Sequence, residues 1–163
     1  LIQFYCQKLL EAMKNDDYAG YNESSTPTYE VTESHYKKVL SDKAFTELVD
    51  QKFEATLFAE EEGHSNYHII ALILAYLYYI EPNDKGYTEV DLLKIAEEYH
   101  INRVTSLKSE QLSEVLNEMC DLNVITVMEE NYRFATDGFR KYLGNQDKIE
   151  KSMSEYFEEA VTV

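Results

Sequence analysis

The run His68-Ile-Ile-Ala-Leu-Ile-Leu-Ala-Tyr-Leu-Tyr-Tyr-Ile80 constrains this chain more than any other stretch. As a helix it is apolar all round, so it has no face to give to water. A bilayer span needs about 20 apolar residues, and this run is shorter and interrupted by tyrosines. The remaining solution is a helix buried at the centre of a small domain. Ser65 is placed to open it. Pro82, which lacks an amide hydrogen and restrains Glu81, is placed to close it.

The residues after the run give this helix its neighbours. Asn83-Asp-Lys-Gly86 reads as a turn and Tyr87 as a single strand residue. Thr88-Glu-Val-Asp91 is a capping-box variant, with Asp reaching back in place of Glu. It opens a helix from Glu89 to Tyr99 that buries Val90, Leu92, Leu93, Ile95 and Ala96. His100 to Leu107 is a connection. Lys108 or Ser109 opens a third helix, which runs to Leu122 with Leu112, Val115, Leu116 and Met119 inward. Val124 to Met128 is a strand rich in β-branched residues. Glu129-Glu-Asn131 turns it, and Tyr132 to Phe134 returns.

Three helices followed by a hairpin is the order of a winged helix. The expected fold class is therefore mainly α: a winged helix, with a three-helix core plus β-wing, and flanking N-terminal and C-terminal helices. Residues 1–62 are expected to form a helical lead-in, and residues 63–163 the winged-helix domain with its C-terminal helices.

Within the lead-in, Leu1 to Asn15 has helical apolar spacing, Asp16 to Thr28 reads as a loop and Tyr29 to Val31 as a short extended piece. Thr32 caps a helix from Glu33 to Leu40. Ser41 caps another from Asp42 to about Glu62, with Phe45, Leu48, Val49, Phe53, Leu57 and Phe58 on one face. Beyond the wing, Thr136 or Asp137 opens a short helix to Leu143, which Gly144 ends in a left-handed C-cap. A last helix runs from about Gln146 to Ala160, with Ile149, Met153, Tyr156 and Phe157 inward.

Charge bears on function more than composition does. The 163 residues include 31 acidic and 15 basic ones, for a net charge of −16. Such a balance opposes docking on a phosphate backbone, which needs Lys and Arg to displace counterions. The outward residues of the third helix include Lys108, Glu110, Gln111, Ser113, Glu114, Asn117, Glu118 and Asp121, and the wing tip is Glu129-Glu130. From Thr88 to Asn131, Lys94, Arg103 and Lys108 face ten acidic residues. Arg133, Arg140 and Lys141 cluster just beyond the wing and keep duplex DNA open as the alternative partner.

Catalytic signals are not found. The five glycines are isolated, so no phosphate-cradling loop is present, and no Ser, His and Asp set forms a nucleophile motif. Glu61, His64 and His68 read as surface or structural residues, because no fourth zinc ligand follows. No catalytic, cofactor-binding or metal-binding residue is expected. Cys6 and Cys120 read as reduced, partly buried thiols. Leu1 opens an amphipathic segment rather than a secretory leader, so a cytoplasmic location without a membrane partner is expected. A start at Leu1, inside a helical pattern, leads to the expectation of a piece of a longer protein.

Several stretches share a resemblance. Leu1-Ile-Gln-Phe-Tyr-Cys-Gln-Lys-Leu-Leu10 resembles the lid helix that follows the nucleotide-binding core in bacterial AAA/STAND-type ATPases. Asn131-Tyr-Arg-Phe-Ala-Thr136, with Phe139 and Tyr142-Leu-Gly144, resembles the wing and trailing helix of the same proteins. The helix beginning Tyr67-His-Ile-Ile70 and the Asn117-Glu-Met119 segment also fall where that family's pattern expects them. The resemblance implies a non-catalytic C-terminal regulatory module of a larger ATPase, whose phosphate loop and magnesium-binding acids lie outside this chain. Its partner would be the ATPase core of the same chain or another protein. The residues expected to make that contact are Lys108, Gln111, Glu114, Asn117, Glu118, Glu129, Glu130 and Arg133.

Overall fold

The structure, a computed structural model, describes residues 2–15, 31–59 and 65–158. It is mainly helical, with one small antiparallel sheet. The chain divides into two compact units, Leu1–Lys52 and Phe53–Val163. The predicted Asp16 to Thr28 loop, Tyr29 and Glu30, the Glu60 to His64 segment and the end of the last helix lie outside the described residues.

The first unit holds α1 (Ile2–Asn15), α2 (Glu33–Leu40) and the start of α3 (Lys43–Leu57). The Phe4 and Tyr5 rings of α1 pack on Phe45, with centroids 6.4 and 5.4 Å away. Asp42, not Ser41, caps α3. Its Oδ1 accepts from the Phe45 amide at 2.9 Å, whereas the Ser41 hydroxyl turns back to donate to the Lys38 carbonyl. A carboxylate satisfies the free amides of the first turn and favours the positive end of the helix dipole. That bond, with Lys8 3.2 Å away, holds the Asp42 carboxyl below its ordinary range. The helical segment stops at Leu57, short of the expected Glu62.

The second unit is built on α4 (Asn66–Ile80). Tyr67 and every residue from Ile69 to Leu77 are buried, as an all-round apolar helix requires. Ser65 caps α4 by accepting from the His68 amide, and the helix ends before Pro82. Around it lie α5 (Glu89–Glu98), α6 (Asn102–Thr105), α7 (Ser109–Asp121), α8 (Asp137–Leu143) and α9 (Gln146–Glu158). The inward residues of α7 are the predicted Leu112, Val115, Leu116 and Met119. The His100 to Leu107 connection is not simply a loop, because α6 occupies its middle and buries Val104.

Three positions differ from their expected burial: Val90, Phe157 and Cys6. Val90 is 73% exposed. It precedes the buried Leu92 by two residues, or about 200° around the helix, so it faces the opposite side. Phe157 is 45% exposed at the end of α9, with its ring 5.9 Å from His100. Both cysteines are free; Cys120, on α7, is partly buried as expected, whereas Cys6 on α1 is exposed.

Two tight turns set the frame of the hairpin. Both α5 and α7 end in a left-handed residue, His100 (φ 53°) and Asn123 (φ 57°), followed by a buried apolar residue whose amide reaches back. Ile101 donates to the Ala96 carbonyl at 2.8 Å, and Val124 to the Met119 carbonyl at 2.9 Å. These are Schellman closures without glycine. Gly144 does carry positive φ, but with ψ −156° it is extended rather than left-handed helical as expected.

β1 (Ile125–Met128) pairs with β2 (Asn131–Phe134), with Thr126 opposite Arg133 and Val127 opposite Tyr132. The other edge of β2 forms an antiparallel bridge to Tyr87, through Tyr87 N–H to the Tyr132 carbonyl and the reverse bond, at 2.9 and 2.8 Å. Tyr87 is fixed in turn by its hydroxyl, which donates to the Glu81 carbonyl and accepts from the Asn83 amide.

Candidate functional site

Alternation along the hairpin gives it two different sides. The Val127–Tyr132 pair faces a groove of about 500 Å³, closed on its other wall by the start of α5 and lined by Thr88, Glu89, Val90 and Glu130. Thr88 and Asp91 hold that start in place through a reciprocal capping box. The Asp91 carboxylate accepts from the Thr88 amide at 2.8 Å, and the Thr88 hydroxyl accepts from the Asp91 amide at 3.3 Å. Glu89 Oε1 accepts from Ser113 Oγ of α7 at 3.0 Å and from the Tyr132 hydroxyl at 3.3 Å. One carboxylate thus joins α5, α7 and β2. Burial raises the Tyr132 phenol, and the Glu89 charge adds to it, so the hydroxyl stays a donor.

The Thr126–Arg133 pair faces a separate cleft of about 680 Å³, shared with Tyr78, Asp84, Asp137 and Arg140. Arg133 donates to the Asp84 carbonyl at 3.5 Å. Arg140 pairs with Asp137 at 3.4 Å and lies over the Tyr78 ring, 5.6 Å from its centroid. Burial raises the Tyr78 phenol although the two guanidiniums pull it the other way. Two arginines meet two aspartates here, so the cleft carries balanced charge.

The expected contact residues therefore do not form one patch. Lys108, Gln111, Glu114, Asn117 and Glu118 are all exposed along α7. Two of them also hold the helix: Gln111 accepts from the Lys108 amide at 3.0 Å, and Glu118 accepts from the Tyr67 hydroxyl of α4 at 2.8 Å. Glu129 and Glu130 form the hairpin turn, and Glu130 reaches the groove beside α5. Arg133 stands apart from them in the cleft on the other side of the sheet.

Thr88, Glu89, Val90, Val127 and Tyr132 line the groove without having been expected there. Val90 alone left a sequence signal, its offset from the Leu92–Ile95–Ala96 stripe.

His68 is a structural residue. Its ring packs at a tilt against Phe58, with centroids 4.5 Å apart, and its Nδ1 lies 2.7 Å from the Tyr156 hydroxyl. Burial, with Lys148 nearby, lowers its pKa to about 4. Glu61 and His64 lie outside the described residues. Among the described residues, no group of three or more His, Cys, Asp and Glu is placed to hold a metal ion, and no helix is long and apolar enough to cross a membrane. Comparison with protein-family profiles, curated proteins and solved structures returned no match to this chain.

Proposed function

We propose that the second unit is a winged helix and that the chain is a non-catalytic, C-terminal regulatory module of a bacterial AAA/STAND-type ATPase, holding its own ATPase core or another protein. The winged-helix reading is supported by element order and by Tyr87. Helix α4, a strand residue, α5, α7 and a hairpin follow in sequence, and Tyr87 pairs with β2 as the third short strand of such a fold. The family reading rests on the resemblances at the two ends of the chain.

The observation that carries protein contact over DNA contact is the charge on the elements a winged helix would present. The exposed side of α7 offers Glu110, Glu114, Glu118 and Asp121 against Lys108, and the hairpin tip is Glu129-Glu130. A recognition helix of that sign repels phosphates where it would have to enter a groove. The alternative, a DNA-binding winged helix of a regulator, draws on Arg133, Arg140 and Lys141.

Fluorescence anisotropy with a labelled duplex at low salt separates the two readings. The expected result is no binding. Salt-dependent binding that weakens in Lys108→Glu or Arg133→Glu would establish the DNA reading instead.

A further inference from the structure

Resting on the reading of this side of the molecule as a protein-contact surface, we propose that the groove between the start of α5 and the β1–β2 hairpin is a docking site. Its occupant would be a partner segment with an apolar side chain flanked by Lys or Arg.

The floor of the groove is apolar and open. Val90 is 73% exposed and Val127 49% exposed, and the two branched side chains line the same groove from different elements. At about 500 Å³ the space falls within the range of pockets that bury a ligand, ample for a Leu, Met or Phe side chain.

The rim is acidic. Glu89 and Glu130 line the groove, Glu129 is next in the chain, and no Lys, Arg or His lines it. The Ser113 and Tyr132 hydroxyls hold Glu89 at the base of the rim. Glu129 and Glu130 sit at φ 50° and 65°. Those conformations favour Asn and Gly and strain any other residue. Carboxylates thus stand at the mouth of an apolar groove against the local backbone preference.

An apolar anchor supplies affinity in such a site, while the charges orient the partner and exclude wrong ones. The same rim turns away phosphates and acidic peptides. It also turns away a second copy of this chain, with its net charge of −16.

The test uses the full chain and three short synthetic peptides, one of Leu and Lys, one of Leu and Glu, and one of Ser and Lys, followed by valine methyl shifts. The Leu–Lys peptide is expected to shift the Val90 and Val127 methyls saturably, with the other two binding at least about tenfold more weakly. Val127→Ser and Val90→Ser are each expected to weaken the Leu–Lys peptide about tenfold, the loss of one apolar contact. Both positions are exposed, so thermal unfolding should be unchanged. Glu130→Gln is expected to weaken it about threefold and to flatten its salt dependence. Ser–Lys or Leu–Glu binding as tight as Leu–Lys overturns the groove, and so does the absence of binding by all three. Binding that moves α7 resonances but leaves Val90 and Val127 unmoved overturns the groove while leaving the protein-contact reading standing.

Discussion

At Gly86 the backbone comes close enough to exclude even one added carbon. A Cβ there would lie 2.5 Å from the Tyr132 carbonyl oxygen, and the residue sits at φ +96°. The obstacle is a strand backbone already held by Tyr87, so it cannot give way cheaply. Gly86→Ala is expected to cost about 3 kcal/mol, from overpacking and backbone strain together. Gly138 offers a comparison, because its Cβ would meet side chains rather than backbone, the tip of the Phe53 ring at 2.7 Å and the Thr136 hydroxyl at 3.3 Å. Gly138→Ala should lose less, about 1–2 kcal/mol, in the same urea unfolding series.

His68 makes the second residue-scale prediction. Its ordinary pKa of 6.5 falls to about 4 in the fold. Between those values the unfolded chain binds a proton that the folded chain refuses, so stability declines as pH falls from 6.5 towards 4. The loss is on the order of 2 kcal/mol. His68→Gln does not titrate, and its amide reaches for the same Tyr156 hydroxyl. Its unfolding midpoint should therefore fall less than that of the wild type between neutral and acid pH; equal falls would remove His68 as the cause. The sequence grouped His68 with Glu61 and His64 near a helix start and gave it a surface or structural role, without naming a partner. Its partner lies 88 residues away, a separation that no local pattern reveals.

Among the elements, those with strong periodicity were readable from the residues alone. The apolar run of α4, the inward stripe of α7 and the Thr88–Asp91 box all sit where their side chains require. The exceptions share one physical cause, a backbone conformation set by tertiary contacts rather than by local preference. No glycine marks the ends of α5 and α7, because His100 and Asn123 take the left-handed position while buried Ile101 and Val124 anchor the closure. The α6 turn is likewise held by burial of Val104. The hairpin turn is the same case. Two glutamates occupy positions that suit Asn-Gly, so Glu129→Asn with Glu130→Gly is expected to stabilise the second unit by about 1–2 kcal/mol. If the groove holds a basic segment, the same pair of changes weakens that binding. Unfolding and peptide titration on one variant would show the two effects moving in opposite directions.

For the whole molecule, fold and function were unequally readable. Residue order alone suggested the three helices and the hairpin. The candidate surface was only half visible, because alternation in a two-stranded sheet sends Arg133 to one side and Glu130 towards α5, and a list of exposed residues does not separate them. The net charge of −16 and the acidic side chains of α7 and the hairpin tip remain the main guide to a partner. They predict a protein that presents basic groups, with the ATPase core as the first candidate.

The proposed function requires association with a nucleotide-binding ATPase core, and calorimetric titration of the chain against such a core tests this most directly, with wild type and a Glu114→Lys, Glu129→Lys variant side by side. Association is expected, weakening with added salt and by at least about tenfold in the variant. No association, or association indifferent to both reversals, would contradict an acidic α7–hairpin surface that holds the core.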